Sequence, residues 1–338
     1  MKNYRNYSLL PHNTFGIDAV CRRFVAYESE GEASSLALSL TDADQPLLVI
    51  GGGSNLLLTR NFEGTVIRSD IRGIEVVGEK DDEVLVRVGS GETWDDFVAV
   101  CVERGWHGAE NLSLIPGDVG ASAVQNIGAY GAEAAIIIYK VEAVRLSDGL
   151  REEIPAEACH YGYRQSRFKQ EWKGRYLITH VVYRLSKTFR PQLDYGNIRA
   201  ELEHRGVSQP TARQLRDVII AIRQAKLPDY HVEGNAGSFF VNPVVPRTQF
   251  EQLLARYPEM PHYHVSDELE KIPAGWLIEQ CGWKGRTLGR AGVHARQALV
   301  LVNRGGATGA EILALCERIC HDVARQFGIE IHPEVNIV

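Results

Sequence analysis

Apolar and polar positions switch between two periods along this chain, and glycines mark most of the changes. Residues 47–50 are a continuous apolar run of strand length, and Gly51, Gly52, Gly53, Ser54 and Asn55 turn the chain directly after it. Further strands are predicted at 66–67 and 84–88, with the charged stretch 79–83 as the turn before the second. Thr93 opens a short helix whose apolar stripe is Phe97, Val98 and Cys101, and Gly105 stops it. Residues 141–146 and 176–183 read as strands. Near Lys187 the composition shifts, and 189–197 is polar and rich in turn formers. Thr211 and Gln214 form a capping box for a helix with Leu215, Val218, Ile219 and Ile222 on one face, ended by Pro228. Phe250, Leu253 and Leu254 mark another helix, closed by Pro258, and 274–281 a further one, ending at Gly282. A strand is predicted at 297–303. Thr308 and Glu311 cap a last helix running through Ile312, Cys316, Ile319 and Val323 to Gly328, and 331–338 is a strand-like tail. Strands and short helices mixed in this way predict an α+β fold rather than an alternating parallel sheet.

The length of 338 residues suggests two or three domains, and 44% hydrophobic with 24% charged residues is a soluble globular composition. Thirty-seven Lys and Arg against 43 Asp and Glu give a net charge of −6. Such a chain is a poor general binder of nucleic acid or of an anionic membrane, so any phosphate site must be a local basic cluster. The first ten residues lack the apolar core of a signal peptide, and no apolar run is long enough to cross a bilayer. The six cysteines are scattered without a C-x-x-C pair and read as free thiols in a reducing compartment. Cys316 and Cys320, four apart on a helix, are within reach of each other, though core packing is the simpler reason for them. Neither a zinc motif, a P-loop nor a G-x-G-x-x-G fingerprint is present.

Against that background one stretch stands out. Residues 115–131 contain Pro116, Gly117, Gly120, Ala121, Ser122, Gln125, Asn126, Gly128, Tyr130 and Gly131, with almost no bulk. Glycine admits close backbone approach, and successive free N–H groups make a concave anion site. An ordinary small-residue turn would have the same composition. The second Gly-rich turn at 51–55 favours a long ligand with a diphosphate. Arg213 and Arg216 read as a solvated helix face. Arg223 and Lys226, in the last turn of that helix, either complement its dipole or meet phosphate. Gly234 and Gly237 bracket a tight path around Ser238, with Phe239 and Phe240 behind it. That is either a presented hydroxyl or a common serine turn.

At these residues the chain resembles the UDP-N-acetylenolpyruvoylglucosamine reductase family, flavoenzymes of peptidoglycan precursor synthesis. The matching segments are Asn13-Thr14-Phe15, 51–55, 115–131, the Tyr-Gly-Tyr-Arg-Gln-Ser-Arg-Phe run at 161–168, 226–228, 234–243, 274–278, Lys284-Gly285 and 332–335. They run in family order over nearly the whole chain. The run Leu193-Asp194-Tyr195-Gly196 resembles the substrate-covering loop of the family's longer subclass. The resemblance implies a vanillyl-alcohol-oxidase-type FAD-binding body in two parts, 1–70 and 71–210, the latter with the substrate loop near 189–205. A third, α+β substrate-binding domain would span 211–325, and 326–338 would return to the flavin site.

FAD is expected to be held non-covalently by Gly51 to Asn55, Leu56, Pro116, Gly117, Gly120, Ala121, Ser122, Gln125, Asn126, Gly128 and Tyr130. His12, the tempting covalent candidate, reads as a surface residue. The implied chemistry uses NADPH as hydride donor, and an enolpyruvyl sugar nucleotide then accepts hydride and a proton. By motif position Ser238 resembles the proton donor. Arg164 and a protonated Glu334 resemble the partners of the substrate carboxylate. Tyr195, Arg223, Lys226, Asn242, Lys284 and Gln297 match substrate-binding positions, and Tyr130 and Tyr163 have weaker support as substrate contacts. A cytoplasmic monomer with no metal, nucleic-acid or membrane partner is expected. Another FAD oxidase or dehydrogenase of the same fold, or a non-catalytic flavin-binding protein, would share the glycines but need not have Arg164, Ser238 and Glu334 together.

Overall fold

Alternating valines build the largest sheet. It has five antiparallel strands in the order Arg151–Pro155, Ile138–Arg145, Tyr176–Ser186, Glu83–Gly89, Ile74–Lys80. Val84, Val86 and Val88 point to one face with Val181 and Tyr183, and all five are fully buried. The structure, a computed structural model, describes residues 1–338, and its contacts divide the chain into two compact units. This sheet belongs to the first, which comprises residues 1–7, 21–52 and 63–225. A four-stranded sheet in the same unit has the order Lys2–Ser8, Val20–Tyr27, Phe62–Ser69, Leu47–Ile50, the last pair parallel.

Helix α1 (Glu30–Ser39) is capped by Ser29 and packs Ala33, Leu36 and Ala37 against Tyr27, Ile67 and Val144. Helices α2 (Trp94–Arg104) and α3 (Val119–Gln125) cover the five-stranded sheet, with Phe97 stacked on the Tyr183 ring at 4.8 Å. Helices α4 (Ile198–His204) and α5 (Ala212–Lys226) share a separate apolar cluster, joined by Phe189 and Leu193. The expected caps are present: Thr211 with Gln214, and Gly105 in the left-handed region at the end of α2.

The second unit comprises residues 8–20, 53–62 and 226–338. It contains α6 (Arg247–Arg256), α7 (Ala274–Gln280) and α8 (Gly309–Phe327). The Thr308–Glu311 capping box opens α8 and Gly328 closes it, as the pattern predicts. In the tail, Asn336–Ile337 pairs parallel with Leu56–Leu57, directly after the first Gly-rich turn.

Three expectations need correction. The charged stretch 79–83 is mostly strand: Ile74–Lys80 is an edge, where Glu79 and Lys80 stay solvated, and only Asp81 and Asp82 turn. The strand predicted at 297–303 is reduced to Leu301–Asn303, because the Val300 N–H donates to Gln297 O and closes a turn first. Arg216 is not a solvated cation. Its guanidinium makes a two-point pair with Asp95 at 2.6 and 2.9 Å and ties α5 to α2.

Backbone closeness fixes both units. The start of α8 lies on the chain at Leu58, and a Cβ on Gly309 would fall 1.7 Å from Leu58 O. Gly309→Ala is therefore expected to destabilise the protein by about 1–3 kcal/mol or more, read as a lower urea midpoint. An unchanged midpoint would contradict the contact.

In the first unit the two Gly-rich stretches meet. A Cβ on Gly52 would lie 3.1 Å from Gly117 Cα and 3.2 Å from Asp118 Oδ1, and one on Gly51 3.3 Å from Ala121 Cβ. Asp118 is buried there; its Oδ2 has no hydrogen-bond partner, and the Arg68 Nε is 4.0 Å away. Burial pushes its carboxyl up from 3.8 to about 6, partly offset by Arg68 and Arg72. An acid raised on folding contributes stability that is full below its unfolded value and lost as pH rises through the folded one. Between pH 4 and 7, Asp118→Asn should thus gain on wild type by on the order of 2 kcal/mol. Urea unfolding of both proteins at the two pH values measures this, and a pH-independent difference would contradict it.

Candidate functional site

In the first unit the residues predicted for cofactor gather where residues 51–52 lie against 117–121. The backbone N–H groups of Gly51 and Gly52 donate to no acceptor within the protein. Gly120 sits against Ser90, where a Cβ would be 2.9 Å from Ser90 Cβ. Not every small polar residue of the stretch faces outward. The Ser122 hydroxyl is buried, 2.7 Å from both Val119 O and the Tyr183 hydroxyl. The buried Asn126 carboxamide donates to Glu133 and to Gly162 O and accepts from the Ala135 N–H, each bond 2.8–2.9 Å long. These two side chains shape the loop.

Arg164 joins the same place. It has a left-handed backbone (φ 56°), its guanidinium donates to Gly128 O at 2.5 Å, and it lies over the Tyr163 ring at 5.5 Å. Tyr130 is also left-handed, and burial raises its phenol, with the Arg223 charge opposing. Tyr195 meets Tyr130 edge-on at 6.5 Å and is half exposed. Arg223 is not merely a helix-end cation: its Nε donates to Leu114 O at 3.2 Å, and burial lowers its guanidinium from the usual value.

The second unit brings Ser238, Asn242, Gln297 and Glu334 onto adjoining segments. Gly237 (φ 69°) donates its N–H to Asn235 Oδ1 at 2.9 Å, and Ser238 follows it exposed, with Phe239 and Phe240 fully buried behind. The Glu334 N–H donates to Phe239 O at 2.7 Å, so the backbone of the tail is held beside the serine turn at Glu334. Phe239 N–H in turn donates to Leu299 O at 2.7 Å, which places the Gln297 turn next to it. Asn242 Oδ1 accepts the Ala274 N–H at 2.9 Å and so caps α7. Lys284 is exposed and paired with Glu279, and Lys226 is exposed at the end of α5. Gly53 (φ 65°), Ser54 and Asn55 also fall in this unit. A Cβ on Gly53 would lie 2.0 Å from His12 O, while Asn55 O accepts the Asn336 N–H at 3.1 Å. His12 is half-buried, not a surface residue.

Several residues outside the predicted site set support it, Asn13 and Thr14 of the first matching segment among them. Thr14 Oγ1 donates to Asn235 O at 2.6 Å and braces the serine turn, and Asn13 closes its own loop through Leu9 O and Ile17 O. Buried Asn111 donates to Tyr130 O and Gln192 O. No periodicity marks such residues; a polar residue within an apolar, Gly-flanked run is the only hint. A cavity of about 680 Å3 in the second unit, lined by Phe15, Tyr230, His294 and Arg296 among others, includes none of the predicted residues. Glu30, Glu142 and His180 converge like metal ligands, but the Arg87 guanidinium lies among them, 2.7 Å from Glu142 and 2.9 Å from His180 Nδ1.

Comparison with known proteins gives this geometry its context. Residues 21–153 match the FAD binding domain family, and residues 228–338 match the C-terminal domain of UDP-N-acetylenolpyruvoylglucosamine reductase. Proteins of that name from Bacteroides fragilis and Pseudomonas aeruginosa are 54% and 50% identical to this chain. The first alignment covers 99% of both chains, the second 98% of this one and 97% of the relative. The crystal structure of the UDP-N-acetylenolpyruvylglucosamine reductase of Thermus caldophilus shares the fold, with a TM-score of 0.69 at 22% identity, covering 99% of this chain and 98% of that one. With an FAD-binding domain, a matching C-terminal domain and relatives at half identity from end to end, the chain belongs to the UDP-N-acetylenolpyruvoylglucosamine reductase family.

Proposed function

We propose that this protein reduces UDP-N-acetylglucosamine enolpyruvate to UDP-N-acetylmuramate, with NADPH as hydride donor and non-covalent FAD. The observation that carries the proposal is the Glu334 N–H bonded to Phe239 O beside the exposed Ser238 hydroxyl, in a chain similar over its whole length to reductases of that name. The residues fit the cofactor. Two Gly-rich stretches pack closely, with only the Asp118 and Ala121 side chains against Gly51 and Gly52, and the amides of those two glycines, which have no acceptor within the protein, suit a diphosphate. Bound FAD supplies a hydride relay from NADPH to the substrate's double bond.

The chain's own residues hold and protonate the substrate. Arg164, positioned by Gly128 O, is assigned to the enolpyruvyl carboxylate, where charge accumulates when hydride reaches the β-carbon. Glu334 is assigned to the same carboxylate as its hydrogen-bond partner. Ser238 delivers its hydroxyl proton to the α-carbon, completing the lactyl ether, and regains a proton from solvent or a neighbour. Tyr195, Arg223, Lys226, Asn242, Lys284 and Gln297 are assigned to the sugar nucleotide, whose two phosphates call for the basic members of that set. The Leu193-Asp194-Tyr195-Gly196 run supports the longer subclass with its substrate-covering loop. We assign the FAD body to 1–70 and 71–210, substrate binding to 211–325 and the returning segment to 326–338. No helix is long and apolar enough to cross a membrane, and we assign the protein to the cytoplasm as a monomer.

Stopped-flow absorbance tests the function: NADPH should bleach the flavin, and the enolpyruvyl sugar nucleotide should restore it. Bleaching without restoration by that substrate would point to another FAD dehydrogenase. Two variants test the roles. Ser238→Ala should be bleached by NADPH near the wild-type rate and reoxidised about a hundred- to ten-thousand-fold more slowly, with Ser238→Cys retaining more activity. Normal turnover of the alanine variant would return Ser238 to a plain turn serine. Arg164→Ala should slow reoxidation by about a hundred- to thousand-fold; a change confined to flavin reduction would contradict its assignment.

A further inference from the structure

Asn111 is buried, and nothing in the chemistry above uses it. It sits in the 3-10 turn Glu110–Leu112, between helix α2 and the second Gly-rich stretch. That turn is held from several sides. The Glu110 carboxylate accepts from the Gly108 N–H at 2.8 Å and lies 2.8 Å from His107 Nδ1. The Trp94 indole N–H donates to Leu112 O at 2.8 Å, and the Ser113 hydroxyl donates to Glu110 O at 2.6 Å. Asn111 is thus a rigid donor on a rigid platform.

Its carboxamide nitrogen has two hydrogens and spends them on two separate segments, Tyr130 O at 2.8 Å and Gln192 O at 3.0 Å. The first carbonyl belongs to a residue with a left-handed backbone (φ 49°), a conformation that needs outside support. The second lies three residues before Tyr195. Tyr130 and Tyr195 are the pair whose rings meet edge-on at 6.5 Å. Gly131 completes the junction: its φ of 80° favours glycine, and an added Cβ would press on Tyr195 Cβ at 3.3 Å. Beyond Gln192 the loop is largely exposed. Leu193 packs partly on the α4–α5 cluster and Asp194 pairs with Arg199.

We infer that Asn111 is a positioning residue for the sugar-nucleotide substrate, holding the backbone of Tyr130 and the arm of the Tyr195 loop in one register. The inference rests on the assignment of Tyr195 to the substrate. Asn111 acts through both tyrosines and touches no reacting atom. An aspartate of nearly the same shape has no hydrogen to give and would face two carbonyl oxygens with a carboxylate, so shape alone cannot replace it.

The test uses the FAD-loaded full-length enzyme, with Asn111→Ala, Asn111→Asp, Tyr195→Ala and the Asn111→Ala/Tyr195→Ala double variant. Asn111→Ala should raise KM for the enolpyruvyl sugar nucleotide about 5- to 30-fold, as expected for one or two lost neutral hydrogen bonds. Flavin reduction by NADPH should stay near wild type. In the double variant the Asn111 change should add little to the effect of Tyr195→Ala, because both act through one loop. Full additivity, or equal loss in both half-reactions, would overturn the proposal and leave Asn111 a general structural residue. If the alanine variant is not recovered with flavin, Asn111→Asp carries the KM comparison, and a wild-type KM there overturns the proposal too. An unchanged KM in Tyr195→Ala would instead remove the loop reading, and the proposal with it.

Discussion

In the first unit, a contact kept close by missing side chains joins the two Gly-rich stretches. Gly51 and Gly52 lie against Gly117, Asp118 and Ala121 at distances where an added Cβ would make tight contacts of 3.1–3.3 Å. That contact brings together two stretches separated by about sixty residues of strand and helix, and it leaves backbone amides uncommitted on one of them. Everything downstream of it in residues 115–131 is then set by turns: the left-handed Asn126 at the end of α3, the left-handed Tyr130, and Gly131 under Tyr195. The buried Asp118 carboxyl is the cost of this arrangement, a polar group with one oxygen lacking a hydrogen bond beside two glycines.

The second unit reaches its arrangement by different means. Ser238 is exposed because Gly237 turns the chain and Asn235 holds that turn, while Phe239 and Phe240 anchor it in the core. Main-chain bonds then bring in the neighbours: the tail through Glu334 N–H and Val241 N–H, the Gln297 turn through Phe239 N–H. Backbone hydrogen bonds position these groups more rigidly than contacts between long side chains would, as the proposed proton delivery requires. Lys226 and Lys284, by contrast, are exposed, and Lys284 pairs with Glu279.

Much of this was legible in the residues. Amphipathic faces and caps gave α2, α5, α7 and α8 nearly to their ends, because Thr211–Gln214 and Thr308–Glu311 satisfy the first-turn amides locally. Glycine composition gave both loops. What escaped depends on partners distant in sequence. Arg216 reads as a surface cation until Asp95, over a hundred residues away, is placed beside it. Asn111 and Thr14 are short polar residues whose roles lie in which carbonyls they reach. The edge strand Ile74–Lys80 was hidden because its outer positions are charged, as edges require.

The central claim is that the close contact of the two Gly-rich stretches builds the flavin site. Its most direct measurement is the FAD content and FAD affinity of Gly52→Val, beside its unfolding curve. A valine side chain at this position would press on Gly117 Cα and Asp118, which a Cβ alone would already meet at 3.1 and 3.2 Å. The account predicts a folded protein that is purified nearly colourless and binds added FAD far more weakly than wild type. A Gly52→Val protein that retains one tightly bound FAD per chain would contradict it.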